Sequence, residues 1–278
     1  MMAAALSFTI MTTLVRDVAR DVHPFEIAFF RVLTNLVLMM PFVWRTGRDI
    51  LTSGNHKAYV LRGLFGFLFL MTYFPGAALV PISDSQALIF TSPLFATAMA
   101  VLFLGERLRA RRVTALVIGF CGAIIILRPG FDAVNMGALL VIIGACANAA
   151  SKVVVRHTTR TDHPDKAVFY LMIYTLPLIT VPALLVWTTP TLEQLVVLVG
   201  VGFFATLNQR FISRAFAAAE ATAVLPFDFV RLPFAALVGW IVFAEVPDIW
   251  VWIGGAIIFM ASVYIAHREA QASRTGGT

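Results

Sequence analysis

The segment from Arg16 to His23-Pro24 recurs from Arg156 to His163-Pro164, with Arg20 matched by Arg160, all at one offset of 140 residues. A second pair of landmarks agrees: Glu106 closes an apolar run containing Pro93, and Glu245, 139 residues on, closes a run containing Pro233. A chain written twice folds as two copies of one unit, and copies that cannot bury their own surface alone must pack together. That surface is apolar. Of 278 residues 60% are hydrophobic and 13% charged, against roughly 45 to 50% and 25% in a soluble globule. A duplicated apolar module is the usual architecture of secondary transporters.

A helix that spans hydrocarbon needs about 17 to 25 residues. Cut at charged or turn-forming clusters, the apolar runs supply 2–15, 25–43, 60–79, 85–104 and 113–127, then 136–155, 167–187, 194–213, 222–243 and 249–266. The expected fold is an all-α membrane protein of ten transmembrane helices in two five-helix repeats, 1–132 and 133–268, followed by a disordered tail, 269–278. The first span is short for its place in the repeat, so native residues are expected ahead of Met1. The opening lacks the basic start of a cleavable signal peptide.

Five spans per repeat is an odd number, so the second copy enters the membrane from the opposite side and the duplication is inverted. With the N-terminus in the cytoplasm, sixteen of the 21 basic residues fall inside and three (Arg16, Arg20, Arg128) outside, leaving Arg31 and Arg231 within spans. The excess of Lys and Arg in cytoplasmic loops sets orientation, which puts both termini in the cytoplasm and implies an inner-membrane location. The net charge of +6 is thereby explained as topology, and no nucleic-acid partner is implied.

The stretches HPFEIAFFRVLTNLVLMMP, PLFATAMAVLFLGER and ATAVLPFDFVRLPFAALVGWIVFAE resemble the EamA family of the drug/metabolite transporter superfamily. The resemblance covers both halves. It implies a ten-helix carrier with a central cavity lined largely by the third, fourth, eighth and ninth spans, the fifth and tenth being peripheral. It selects no cargo, since the fold is shared by carriers of riboflavin, amino acids, S-adenosylmethionine and other metabolites. Arg31 matches the arginine of the family's phenylalanine-rich second-span motif, which reads as structural rather than selective.

An ionisable group in the bilayer costs about 2.5 to 3.5 kcal/mol on insertion scales and needs a partner, a wet cavity or a task. Asp228 and Arg231, three apart on the ninth span, share a helix face. They are either an intrahelical salt bridge, or a proton-exchanging carboxylate beside a guanidinium that holds a polar or anionic part of the substrate. Asn148 and Lys152 share a face of the sixth span. Lys152 is expected to snorkel to the interface, while the deeper Asn148 serves a helix contact or cargo. In the eighth span Asn208 is the residue expected to face a cavity, and Arg210 the one expected to reach the interface. Tyr73 and Phe74, Gln86 and Phe90, and Tyr170 and Tyr174 supply an aromatic wall with a few polar fixtures. Pro93 and Pro233 hold corresponding places in the fourth and ninth spans, where a lost backbone donor favours a kink; the kinks either hinge alternating access or shape a static cavity. Glu106 is expected to be a solvated helix end beside Arg107 and Arg109.

An intramembrane enzyme is the main rival class. No HExxH, GxSxG or Walker A pattern occurs, and the five histidines lie at loops or helix ends, so no catalytic residue is assigned. Cys121 and Cys146 sit in apolar runs without a CxxC, so no metal or cofactor is implied. A non-transporting scaffold is the other alternative, though midplane charges suit it poorly. The expected partners are the lipid bilayer and a small organic substrate, riboflavin or a similar aromatic vitamin first, then an amino acid or S-adenosylmethionine. A homodimer stays open because small residues, Gly119 and Gly122, occur on a peripheral span.

Overall fold

The structure is a computed structural model and describes residues 1–47, 50, 52–79, 88–106, 110–127, 136–243 and 249–275. The helices are α1 (Met2–Val18), α2 (Pro24–Thr46), α3 (His56–Leu79), α4 (Ser92–Leu104), α5 (Ala110–Leu127), α6 (Met136–Thr158), α7 (Pro164–Leu185) and α8 (Leu192–Ala218). After α9 (Ala221–Val224) come a 3-10 turn (Leu225–Val230), α10 (Arg231–Phe243) and α11 (Ile249–Thr275). Each expected span finds a helix, the ninth being α9, the 3-10 turn and α10 in series. Helix α11 continues to Thr275, past the point where the sequence suggests a disordered tail, and the expected repeat boundary at 132–133 lies outside the described residues.

The turn before the second span and the turn before the seventh are built alike. His23 and His163 take extended backbone, φ −64° and −61°, and each is followed by proline at the first helical position. Each ring accepts from the main-chain N–H two residues on, Phe25 or Asp165, through Nδ1 at 3.2 Å. Proline suits that position because its missing N–H would have had no helical partner.

The packing repeats as well. The main helix pairs include α3–α6, α1–α8, α3–α7, α2–α8, α4–α6, α1–α10, α2–α7 and α5–α11. Exchange each span with the one five later and α3–α6 becomes α8–α1, α3–α7 becomes α8–α2, α4–α6 becomes the ninth span on α1, while α2–α7 and α5–α11 map onto themselves. One contact shows how: a Cβ at Gly63 would overlap the Cβ of Tyr174, and a Cβ at Gly202 would overlap that of Thr34. These two crossings are the same crossing, 139 and 140 residues apart. The molecule is an all-α membrane protein of two inverted five-span repeats.

Polarity runs inside out. Leu102, Phe103, Leu185 and Leu192 are each more than three-quarters exposed, whereas Glu26, Arg62 and Asp165 are buried. Hydrocarbon around the bundle favours that arrangement, since lipid welcomes apolar side chains and any polar group must be satisfied internally. By length and composition alone Pro24–Arg45, Met136–Thr158, Pro164–Leu185 and Leu192–Ala218 can each cross a membrane, and Met2–Val15, Ser92–Leu104, Val113–Ile125 and Trp252–Ala261 are shorter apolar helices. One of the shorter ones reflects a break and another is part of a longer helix. Residues 88 and 89 are helical, Phe90 and Thr91 form a turn, and α4 starts at Ser92; Trp252–Ala261 is the apolar middle of α11.

Gly119 and Gly122 face inward. A Cβ on Gly119 would strike the Phe229 ring, and one on Gly122 would strike Ile258 and the Gly254 carbonyl. Their smallness lets α5 meet the 3-10 turn and α11 within one chain, which removes them as grounds for a homodimer.

Candidate functional site

The ninth span breaks where Pro226, without a backbone donor, falls among helical residues; the chain tightens to a 3-10 turn there. A continuous 222–243 helix is therefore corrected to two pieces. Pro233 sits in the first turn of α10, and Pro93 is the second residue of α4. The two prolines mark matching restarts after breaks in both spans rather than kinks in continuous helices.

Asp228 lies on the 3-10 turn, and its partner is Lys152 of α6, not Arg231. Both side chains are about nine-tenths buried. The expected snorkelling of Lys152 is thus overturned: the ammonium turns inward because an unpaired buried carboxylate on the break would cost more than bending the side chain along α6. Arg231 opens α10, and among the described residues no carboxylate forms an ion pair with it. Its guanidinium carbon stands 4.4 Å from the centre of the Phe90 ring and 5.0 Å from that of Phe8. Its Nε and Nη2 are buried and have no hydrogen-bond partner. The Thr9 hydroxyl donates to the Arg231 carbonyl at 3.4 Å, tying α1 to the break.

Aromatic surface continues from there. Phe90 stacks on Phe229 with ring centres 5.8 Å apart, and Phe120 meets Phe229 edge-on at 6.5 Å. Tyr73 stacks on Phe69 at 5.2 Å, against the same core cluster. Asn148 donates through Nδ2 to the Ser92 hydroxyl at 3.2 Å, bridging α6 to α4 one turn from Lys152. The structure so brings Phe90, Asp228 and Arg231 together, with Asn148 and Tyr73 on the flanks.

Other candidates lie elsewhere. Asn208 spends its Nδ2 on the Ala4 carbonyl at 2.8 Å, joining α8 to α1, so that donor does not face a cavity. Arg31 stands half-buried on α2, which packs on α7 and α8; one turn on, Asn35 is buried with Oδ1 unpaired. Gln86 lies outside the described residues, as does Glu245. Two shallow grooves, one along Phe259, Met260, Val263 and Tyr264 and one between α5 and α11, lie on the outer face that meets lipid, away from the charges.

A second polar network closes the end of the bundle that holds the α6–α7 turn. Asp162 accepts from Ser53 at 2.6 Å, Tyr59 at 2.7 Å and Asn55 at 3.1 Å. Burial alone would push this carboxyl up, but those three donors and the nearby Lys166 ammonium hold it below the usual carboxylate range. Asp165, nearly inaccessible, receives both Nε and Nη2 of Arg210 at 2.9 Å. Arg62 is buried, donating to the Ala167 carbonyl and to Gln209. The pair Tyr170 and Tyr174 extends a stack that begins with Tyr59, at 4.5 and 6.0 Å, a closed ladder rather than an open wall. Glu106 belongs to the same end and is buried, not solvated. It meets Arg156 at 3.3 Å and accepts from the Ala221 N–H at 2.9 Å, stitching the end of α4 to the start of the ninth span. Phe8 and Asp162 carry no signal in the sequence that singles them out, and for Lys152 the spacing of four from Asn148 shows the shared face but not the partner on the ninth span.

The EamA-like transporter family matches the chain twice, over residues 1–128 and 135–266. A riboflavin transporter of Brucella anthropi is 32% identical over 258 residues, covering 90% of each chain. An S-adenosylmethionine uptake transporter of Rickettsia bellii is 29% identical over 90% of this chain and 86% of its own length. A solved crystal structure, 17% identical, superposes with a TM-score of 0.81 over 95% of this chain and 98% of the other, and shares the fold.

Proposed function

We propose that this chain, which belongs to the EamA-like transporter family, carries riboflavin or a similar flat, polyhydroxylated vitamin across the inner membrane by alternating access. The observation that bears the reading is the break in the ninth span. There a guanidinium lies against Phe8 and Phe90, beside the buried Lys152–Asp228 pair and a run of stacked rings. Broken spans at corresponding places of two repeats are where carriers of this design bind cargo, and a planar ring gains from aromatic faces. The Brucella relative's name agrees with such a cargo. With both termini in the cytoplasm, the network around Asp162 and Asp165 shuts the cytoplasmic mouth, and opening inward must break it.

The second reading is a zwitterionic cargo, an amino acid or S-adenosylmethionine. The Lys152–Asp228 pair favours it by offering both charges, and the Rickettsia relative carries that name.

Uptake of labelled riboflavin into cells that cannot make it, with unlabelled riboflavin, threonine and S-adenosylmethionine as competitors, separates the readings. Riboflavin alone should compete. Absence of labelled-riboflavin uptake, with labelled S-adenosylmethionine taken up instead, overturns the first reading in favour of the second. Asp228 is the candidate coupling carboxylate, so Asp228→Asn transport should lose its pH dependence; an unchanged profile removes that role.

A further inference from the structure

We propose that the side-on edge of the Arg231 guanidinium is a docking fork for a planar group carrying two adjacent hydrogen-bond acceptors, and that this edge of the cargo decides what is carried. The proposal rests on the reading of the chain as a carrier with its site at the break in the ninth span.

A guanidinium presents its donors in a rigid plane, and Nε with one Nη forms a fork that two neighbouring acceptors fill at once. The same protein displays a filled fork: Arg210 gives Nε and Nη2 to the two oxygens of Asp165, each at 2.9 Å. Arg231 has the same two atoms buried and empty. Asp228, three residues back, is engaged by Lys152. Among the described residues, the faces of Phe8 and Phe90 lie against the guanidinium. Ring faces compensate its charge, but they give the in-plane N–H groups no lone pair to bind.

Buried charged donors left unmet are costly and therefore rare in folded proteins. The break packs against α1, α4, α5 and α11, with Lys152 of α6 reaching Asp228 and stacked rings alongside. A ligand that brings two coplanar acceptors satisfies both donors and lays any attached ring on that aromatic surface. Two sources share the chemistry, a ring nitrogen with its neighbouring carbonyl and a carboxylate. A lysine could not substitute, because an ammonium is a point donor without a fork.

The full-length protein in nanodiscs provides the test, by equilibrium binding of four probes. Riboflavin carries the ring edge, and proflavine is a flat tricycle without a carbonyl. S-adenosylmethionine carries a carboxylate, and methylthioadenosine has the same base and sugar without one. At least one edge-bearing probe should bind at least about tenfold tighter than its edgeless counterpart, and Arg231→Lys should abolish that difference. Three results overturn the proposal: equal binding within both pairs, discrimination that survives Arg231→Lys, or no binding of either edge-bearing probe. The first and third need no variant, so poor folding of Arg231→Lys does not shield the idea. Tight binding of S-adenosylmethionine with none of riboflavin overturns the cargo reading above and leaves the fork standing.

Discussion

The α1–α2 turn and the α6–α7 turn share a backbone and differ in what hangs from it. In one, the N–H groups of Asp21 and Val22 donate to the Val18 carbonyl at 3.2 and 3.0 Å; in the other, Thr161 and Asp162 donate to Thr158 at 3.2 and 2.9 Å. Both then run into a histidine cap and a proline. Yet Val22 corresponds to Asp162, Phe25 to Asp165 and Glu26 to Lys166. The second turn is a hub: Asp162 gathers Ser53, Asn55 and Tyr59, Asp165 gathers Arg210 and Arg214, and Lys166 donates to the Thr52 carbonyl at 3.1 Å. The first turn contributes Glu26, which accepts from the amide and hydroxyl of Thr188. Duplication preserves main-chain geometry because that geometry depends on where His-Pro falls. It leaves side chains free to diverge, so among the described residues the two turns carry different polar networks.

The sharpest way to break this contrast is Asp165→Ala. It strips two arginines of their shared carboxylate and should lower stability by about 2 kcal/mol. That is less than the roughly 3 to 5 kcal/mol of a fully buried pair, because the Arg210 side chain is 32% exposed and can turn to water. Thermal unfolding in detergent measures it, and an equal loss from Phe25→Ala would mean that the turns bear equal loads.

Next comes Asp162→Asn, expected to cost about 1 to 2 kcal/mol through weakened hydrogen bonds. Because the folded carboxyl sits below its usual range, its contribution is complete above about pH 4, its unfolded value, and fades as pH falls through the lower folded value. Acid should accordingly speed hydrogen exchange at residues 52–59, and Asp162→Asn should mimic that at neutral pH. Exchange there that is indifferent to both would dissolve the lock. The smallest effects should be His23→Ala and His163→Ala, about 1 kcal/mol each as lost caps. They should agree to within a few tenths, and a clear inequality would show that the shared backbone is not shared energetically.

How much was readable in advance divides along chain distance. The span positions and the His-Pro starts follow from local patterns, and the structure keeps them, while the kinks expected at Pro93 and Pro233 become helix restarts, the ninth span breaking earlier, at Pro226. Distance from the helix end, a local fact, points Lys152 to the interface, whereas its partner Asp228 lies 76 residues on. Asn208 suggested a cavity, and its acceptor is the Ala4 carbonyl, 204 residues back. Glu106 looked solvated between arginines in sequence, yet it is buried against Arg156 and the start of the ninth span.

By itself the sequence determined that this protein is a pair of apolar five-span units, one inverted on the other. Apolar run length, proline position and charge asymmetry act on a few neighbouring residues or on the membrane as a whole, and neither needs a contact map. Only the tertiary structure decided which charges are spent on each other and which donors are left over. Asp228 goes to Lys152, Asp165 to Arg210, and Arg231 keeps an empty fork among phenyl rings. Those outcomes depend on ångström-scale distances between helices far apart in the chain, where direction and reach, not composition, choose the partner.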